Sequence, residues 1–73
     1  MREEQNLALL ENTAQGFIGT EYSKPLDGHD YTIGVKVVDG DLVYTVQTRK
    51  DGAVDRKPVT RAQALKLLAK AGY

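Results

Sequence analysis

The sequence predicts an α+β fold in which an N-terminal helix and a C-terminal helix flank an antiparallel sheet of about three strands. Residues 31–49 contain two runs of alternating apolar and polar side chains that meet at Asp39 and Gly40, a combination that strongly favours a β-hairpin. Farther along, Thr60 and Gln63 have the spacing of a helix-capping box, directly before an apolar stripe of helical period. The hairpin supplies the centre of the sheet, and the helices are expected to cover its apolar face.

Residues 2–15 have the pattern of an amphipathic helix. Leu7, Leu10 and Ala14 recur at helical spacing and form a single apolar stripe. Gly16 then provides a stop, because glycine readily adopts the left-handed conformation that ends many helices. This stripe is expected to pack on the apolar face of the hairpin.

Between this helix and the hairpin, the sequence predicts a short strand at 17–22 and a loop at 23–30. The loop contains the single histidine of the chain, His29, beside the carboxylates of Asp27 and Asp30. One imidazole and two loop carboxylates lack the spacing of a familiar metal site. We therefore expect a solvated turn here and no metal.

The hairpin at 31–49 is expected to have one apolar and one polar face, because side chains alternate along a strand. Placing the two turn residues at its tip fixes the register of the strands. An isolated hairpin is only marginally stable in water, so another element must cover the apolar face. The predicted pairs on that face are Val37 with Leu42, Val35 with Tyr44, Ile33 with Val46 and Tyr31 with Thr48.

A second turn at 50–53 leads into a third predicted strand, 54–57. Pro58 is expected to end this strand, because proline donates no ladder hydrogen bond. The final helix is predicted over 61–71, with Thr60 as its N-cap. Its leucines and alanines recur on one side, and its glutamine and lysines on the other, as in a helix with one buried side.

Composition argues against an enzyme or a metalloprotein. The 73 residues are expected to form a single domain over 1–73, which leaves little room for a catalytic cleft. With no cysteine, neither a disulfide nor a thiolate metal site can form. Ser23 lacks the framing glycines of a nucleophile turn, and the turn carboxylates lack the burial that separates catalytic pKa values. We therefore expect no enzymatic activity and no cofactor.

The sequence predicts a soluble protein of the cytoplasm without a membrane partner. No apolar run approaches the roughly 18 residues that a membrane-spanning helix requires. The N-terminus, with Arg2, Glu3 and Glu4, does not resemble a signal peptide. A cysteine-free chain also agrees with a reducing compartment.

Charge is divided unevenly along the chain, although its formal total is zero. Residues 1–35 hold two basic and six acidic side chains, whereas residues 36–73 hold eight basic and four acidic ones. The two halves either attract each other across the fold or provide a basic surface for a partner. Basic residues around the second turn are expected to form one patch that meets an acidic partner surface; the alternative is a solvated turn that discourages edge aggregation. The predicted partner-binding residues are Arg49, Lys50, Arg56, Lys57 and Arg61.

The order helix, three strands, helix resembles that of the double-stranded RNA-binding domain, and residues 56–70 resemble the basic, alanine-rich last helix of that family. The sequence departs from the family at two motifs. The Lys-Lys-x-Ala-Lys cluster is replaced by Thr-Arg-Ala-Gln-Ala at 60–64, and the Gly-Pro-x-His loop by Asp-Gly-His-Asp at 27–30. Zero net charge also weakens the attraction to phosphate that dominates such binding. A nucleic-acid-binding module is therefore the alternative function.

The size and character of the whole chain resemble those of the small host-takeover proteins of bacteriophages, several of which bind bacterial RNA polymerase. The chain is very short, free of cysteine, and split in charge. The resemblance implies a non-enzymatic regulator of transcription with a larger host protein complex, such as RNA polymerase, as its partner. Physically, a protein without a reactive site acts by occupying or bridging surfaces, and separated charges favour steering towards a complementary one.

Overall fold

The computed structural model describes residues 2–26 and 30–73. The four strands form one antiparallel sheet in the order β1-β2-β3-β4, and both helices pack on the same face of it. This confirms the predicted α+β fold, with four strands rather than about three. The elements in chain order are α1 (Arg2–Gly16), β1 (Tyr22–Leu26), β2 (Tyr31–Val38), β3 (Asp41–Lys50), β4 (Ala53–Val59) and α2 (Arg61–Lys70).

The central hairpin, β2 and β3, has the predicted register. All four predicted pairs occur, from Val37 with Leu42 at the tip to Tyr31 with Thr48 at the open end. The turn requires positive φ at both central residues, and here they lie at 52° for Asp39 and 84° for Gly40. Local turn chemistry and the alternation of the strands therefore favour the same register.

The two faces of the sheet differ as the alternation predicts. The face that the helices cover, called here the helix face, contributes side chains to a continuous apolar core. The other face, called here the open face, carries no helix and is mainly polar. The core residues are Leu7 and Ala14 from α1, Leu26 from β1, Ile33, Val35 and Val37 from β2, Tyr44 and Val46 from β3, and Ala64 and Leu68 from α2.

The predicted strand at 17–22 is wrong, and so is the predicted loop over 23–26, while residues 27–29 of that loop lie outside the described residues. Residues 17–20 form a tight connection, in which the Phe17 N–H donates to the Ala14 carbonyl at 3.2 Å and the Thr20 N–H donates to the Phe17 carbonyl at 3.1 Å. The strand begins only at Tyr22 and runs through Pro25. Since β1 is an edge strand, Pro25 interrupts no ladder there.

The expectation that Pro58 ends the last strand is also wrong, because β4 continues through it to Val59. Along β3 and β4, hydrogen-bonded residue pairs alternate with non-hydrogen-bonded pairs, starting with the hydrogen-bonded pair Lys50 and Ala53 beside the turn. Pro58 falls in a non-hydrogen-bonded pair, so its nitrogen points away from β3. The same alternation, counted from the first turn, directs the Pro25 nitrogen away from β2. Both prolines of the chain therefore lie on outer sheet edges, where they hinder pairing with another strand.

The C-terminal helix begins with the predicted capping box. The Gln63 N–H donates to the Thr60 hydroxyl at 3.1 Å, and the Thr60 N–H donates to the Gln63 side-chain oxygen at 2.9 Å. The helix ends at Lys70, one residue before the predicted end, with Ala71 as its C-cap. The N-terminal helix extends one residue beyond its predicted end, to Gly16.

Candidate protein-binding site

The strand alternation separates the predicted basic residues between the two faces of the sheet. Lys57 is paired with the buried Val46 and therefore lies on the helix face, as does Lys50. Arg56, one residue earlier, lies on the open face together with Arg49. Neighbours in a strand point to opposite sides, so these residues do not form the single patch expected from their closeness in sequence.

Arg61 joins the two helices. Its Nε donates to the Glu11 carboxylate at 2.9 Å, its Nη2 donates to the other oxygen of that group at 3.3 Å, and the same Nη2 is 3.2 Å from Glu4. The Tyr44 hydroxyl of β3 donates to the same Glu11 carboxylate. Arg61 thus connects α2 to α1 and is already engaged within the fold.

The charges of this network change the proton affinities of its members. Burial disfavours the ionised Glu11, but hydrogen bonds from Arg61 and Tyr44, and the charge of Arg61, outweigh it and hold the pKa of Glu11 below its ordinary 4.5. Burial and the neighbouring Glu11 carboxylate raise the pKa of Tyr44 to about 12. The hydrogen bonds to Glu11 and Glu4 raise the pKa of Arg61 further above its ordinary value.

Arg56 is engaged as well, on the open face. Its guanidinium forms an ion pair with Glu21, which directly precedes β1. Because β1 and β4 are the two edge strands, this ion pair crosses the open face over β2 and β3. The Glu21 carboxyl lies directly over Gly34 of β2, where an added Cβ would be 3.0 Å from it and 2.7 Å from the Thr45 hydroxyl. Gly34 therefore provides the space through which this ion pair crosses the face.

Three of the predicted residues, Arg49, Lys50 and Lys57, form no ion pair within ranges 2–26 and 30–73. Lys57 borders a groove of about 500 Å³ on the helix face, between β4 and α2. Lys66 of α2 borders the same groove, and apolar side chains form much of its lining. This basic groove is defined by Tyr31, Val46, Thr48, Lys57, Pro58, Val59, Gln63, Lys66 and Leu67.

The basic groove continues towards the second turn. A neighbouring depression is lined by Asp30, Arg49 and Lys50, and it shares Tyr31 and Thr48 with the groove. This surface combines Lys50 and Lys57 of the helix face with Arg49, which borders the depression from the open face. It adds Lys66, which the sequence placed on the polar side of α2 without indicating that it would lie near β4.

Other sites considered from the sequence gain no support here. Within the described part of the chain, no group of three or more His, Cys, Asp or Glu residues has the geometry to hold a metal ion. The predicted turn at Asp27, Gly28 and His29 lies outside the described residues. No helix among the described residues is both long and apolar enough to cross a membrane. The absence of enzymatic activity stays a prediction.

Comparisons with known proteins leave the function to be argued from the fold and its surface. No protein-family model matches the chain, and neither the curated proteins nor the solved structures include a significant match to it.

Proposed function

We propose that the chain is a non-enzymatic regulator that binds an acidic surface of a larger protein complex through the basic groove. The observation that carries this proposal is the position of Lys57 and Lys66, two ammonium groups without an ion-pair partner in ranges 2–26 and 30–73, beside an apolar groove. A segment with aliphatic and carboxylate side chains would fill the groove and pair with both lysines. Two other basic residues of the predicted set, Arg49 and Lys50, extend the positive surface and favour electrostatic steering of that partner.

A protein partner fits this surface better than a nucleic acid does. The floor of the groove is largely aliphatic, with Val46, Val59 and Leu67 among its residues. Phosphate binding requires several cations along a backbone, and the chain has no net charge. The fourth strand also departs from the helix, three-strand, helix order of the double-stranded RNA-binding domain. Duplex RNA nevertheless remains the alternative ligand that an experiment must include.

Bacterial RNA polymerase is the specific partner that we propose to test first. The support is the resemblance of the chain, in size and character, to phage host-takeover proteins, of which several bind that enzyme. On this proposal the protein inhibits transcription in the host cytoplasm by occupying an acidic surface of the polymerase. It supplies no chemistry and needs no cofactor.

Binding of the full chain to immobilised RNA polymerase, measured by biolayer interferometry, tests the proposal. We expect the double variant Lys57→Glu/Lys66→Glu to bind at least about 10-fold more weakly than the wild type, mainly through a slower association rate. Lys36→Glu, a charge reversal on the open face, is the matched control and should bind normally. Arg56 is left unchanged because its reversal would break the ion pair with Glu21.

Three outcomes would contradict parts of the proposal. No binding of the wild type to RNA polymerase would refute that target. Equal binding by the wild type and the Lys57 and Lys66 variant would refute the groove as the contact surface. Tight binding to a short RNA duplex, weakening steeply with added salt, would refute a protein-binding function in favour of nucleic-acid binding.

A further inference from the structure

A second surface, remote from the basic groove in the sequence, exposes large apolar side chains at the end of α1. The exposed fractions are 65 % for Leu9, 62 % for Phe17 and 74 % for Ile18. Leu9, Thr13 and Phe17 are four residues apart, so they follow one side of the helix and its extension. The neutral patch is defined here as Leu9, Thr13, Phe17, Ile18 and Tyr22.

Local contacts hold this patch in place. The N–H of Phe17 donates to the Ala14 carbonyl, and the carbonyl of Phe17 accepts from the Thr20 N–H, so backbone hydrogen bonds flank the exposed residues Phe17 and Ile18. The Phe17 ring also contacts the Tyr22 ring of β1, with the ring centres 6.0 Å apart and the planes inclined by 51°. The surface is thus formed before any partner arrives, which lowers the entropic cost of binding.

Beside these projecting side chains lies a depression of about 260 Å³ between α1 and the edge strand β1. Leu9, Leu10 and Tyr22 contribute apolar surface to it. Lys24 is its single charged lining residue, and the Lys24 ammonium lies 4.6 Å from the centre of the Tyr73 ring, where a cation–π contact occupies it. The depression is lined by Asn6, Leu9, Leu10, Thr13, Tyr22, Ser23 and Lys24.

The charge of the patch indicates which partner it fits. Residues 12–20 include no charged side chain, although more than a quarter of the whole chain is charged. In a two-fold symmetric interface the same patch occurs on both partners, so a charged patch would repel its copy and a neutral one does not. The basic groove could not pair with its own copy, because Lys57 and Lys66 would repel the same lysines of the partner. A projection and a depression side by side are also what two-fold pairing requires.

We propose that two copies of the chain form a symmetric dimer through the neutral patch. Phe17 and Ile18 of each copy occupy the depression between α1 and β1 of the other. Pro25 withholds a backbone donor from the outer edge of β1, so side chains rather than an extended sheet form the contact. The patch is small, which places the dimer at the weak end of specific interfaces, with a dissociation constant of about 100 µM.

Sedimentation velocity of the wild-type chain between about 10 µM and about 1 mM tests this inference independently of the proposed function. We expect the weight-average mass to rise from near 8.0 kDa towards twice that value. Ile18→Glu should weaken the dimer at least about 10-fold, because it places a carboxylate in an apolar contact. Its circular dichroism spectrum should be unchanged, since Ile18 is highly exposed in the monomer.

Val54→Glu is the matched control. Val54 is 54 % exposed but lies on the open face, away from the patch, so this variant should dimerise like the wild type. Leu9→Lys changes the opposite end of the patch and should weaken the dimer as Ile18→Glu does. A wild type that stays monomeric at about 1 mM would overturn the inference. So would a dimer that tolerates Ile18→Glu, or one that Val54→Glu disrupts equally.

Discussion

Replacing Arg61 with alanine should destabilise the fold rather than remove a partner contact. The substitution deletes the donors that Arg61 provides to Glu11 and Glu4. Glu11 would keep the Tyr44 hydroxyl but lose the opposite charge that compensates for its burial. An ionised carboxylate left with fewer donors is costly, because its desolvation is no longer offset.

The exposure of the two side chains sets the size of the effect. A hydrogen bond to a charged group contributes about 1.5–3 kcal/mol when it is well shielded, whereas an exposed ion pair contributes about 0–1 kcal/mol. The Glu11 side chain is 13 % exposed and that of Arg61 is 41 % exposed, so solvent screens the pair partly. We therefore expect a loss of about 1–2 kcal/mol in the free energy of unfolding. For a chain of this length that lowers the midpoint of thermal unfolding by about 5–15 °C.

Urea denaturation followed by circular dichroism measures this loss. Lys66→Ala, a truncation on the same helix of a residue without an ion-pair partner in the described ranges, is the control and should change stability little. The pKa of Glu11 is lowered in the fold, so its contribution is present above the ordinary value of 4.5 and is lost as the pH falls through the folded value. The difference between wild type and Arg61→Ala should therefore shrink as the pH is lowered below 4.5 and through the folded pKa of Glu11.

Equal stability of Arg61→Ala and the wild type at pH 7 would refute this reasoning. So would a difference that persists unchanged in acid, since the Glu11 charge would then not be its source. At a temperature where the variant is fully folded, it should bind a partner of the basic groove with nearly unchanged affinity. That last measurement separates the structural role of Arg61 from the partner-binding role expected from the sequence.

Three further outcomes are expected. Gly34→Val should lower the free energy of unfolding in urea by about 1–3 kcal/mol, because its Cβ would lie 2.7 Å from the Thr45 hydroxyl. Adding Thr45→Ala should recover part of that loss. If the losses of the two single variants simply add in the double variant, this contact is not the cause. Val46→Asp should abolish the folded circular dichroism spectrum, because the site is only 2 % exposed; a folded variant would contradict the assigned core. The Tyr44 hydroxyl should contribute fully to the free energy of unfolding below its unfolded pKa of 10.0, and this contribution should decline as the pH rises through about 12. Tyr44→Phe should remove that decline. If the variant and the wild type lose stability identically at alkaline pH, the ionisation of Tyr44 is not the cause.

The sequence carries enough information to predict the central hairpin and the start of the last helix. Asp39 and Gly40 specify their turn through backbone conformation alone, and the alternation of the flanking strands has a single register that buries one face. The capping box at Thr60 is equally local. These features are predictable because every residue that determines them lies within a few positions in the chain.

The first strand was missed because proline has a different meaning at a sheet edge than in its interior. Pro25 lies in the segment that the sequence predicts as a loop, and Pro58 is predicted to end a strand, yet both lie within strands. Which strands form the edges follows only from the complete sheet order. The side chains at Tyr22 and Leu26, both on the helix face, were the signal that could have indicated a strand.

The candidate site was predicted only in part. Alternation alone could have separated Arg56 from Lys57, since adjacent strand residues point to opposite faces. The ion pairs of Arg56 with Glu21 and of Arg61 with Glu11 join segments 35 and 50 positions apart, and no local pattern predicts them. The nearness of Lys66 to Lys57 likewise depends on how α2 crosses the sheet.

The strand order has a consequence for how the protein folds. Every strand pairs with its neighbour in sequence, so the sheet forms by closing short connections, which is fast and costs little chain entropy. The contact between Glu11 and Arg61 closes a loop of 50 residues and is expected to form last. In stopped-flow experiments, Arg61→Ala should then raise the unfolding rate, whereas Gly40→Ala should slow folding. The meander sets how quickly the native state is reached, and the helix pair sets how long it persists.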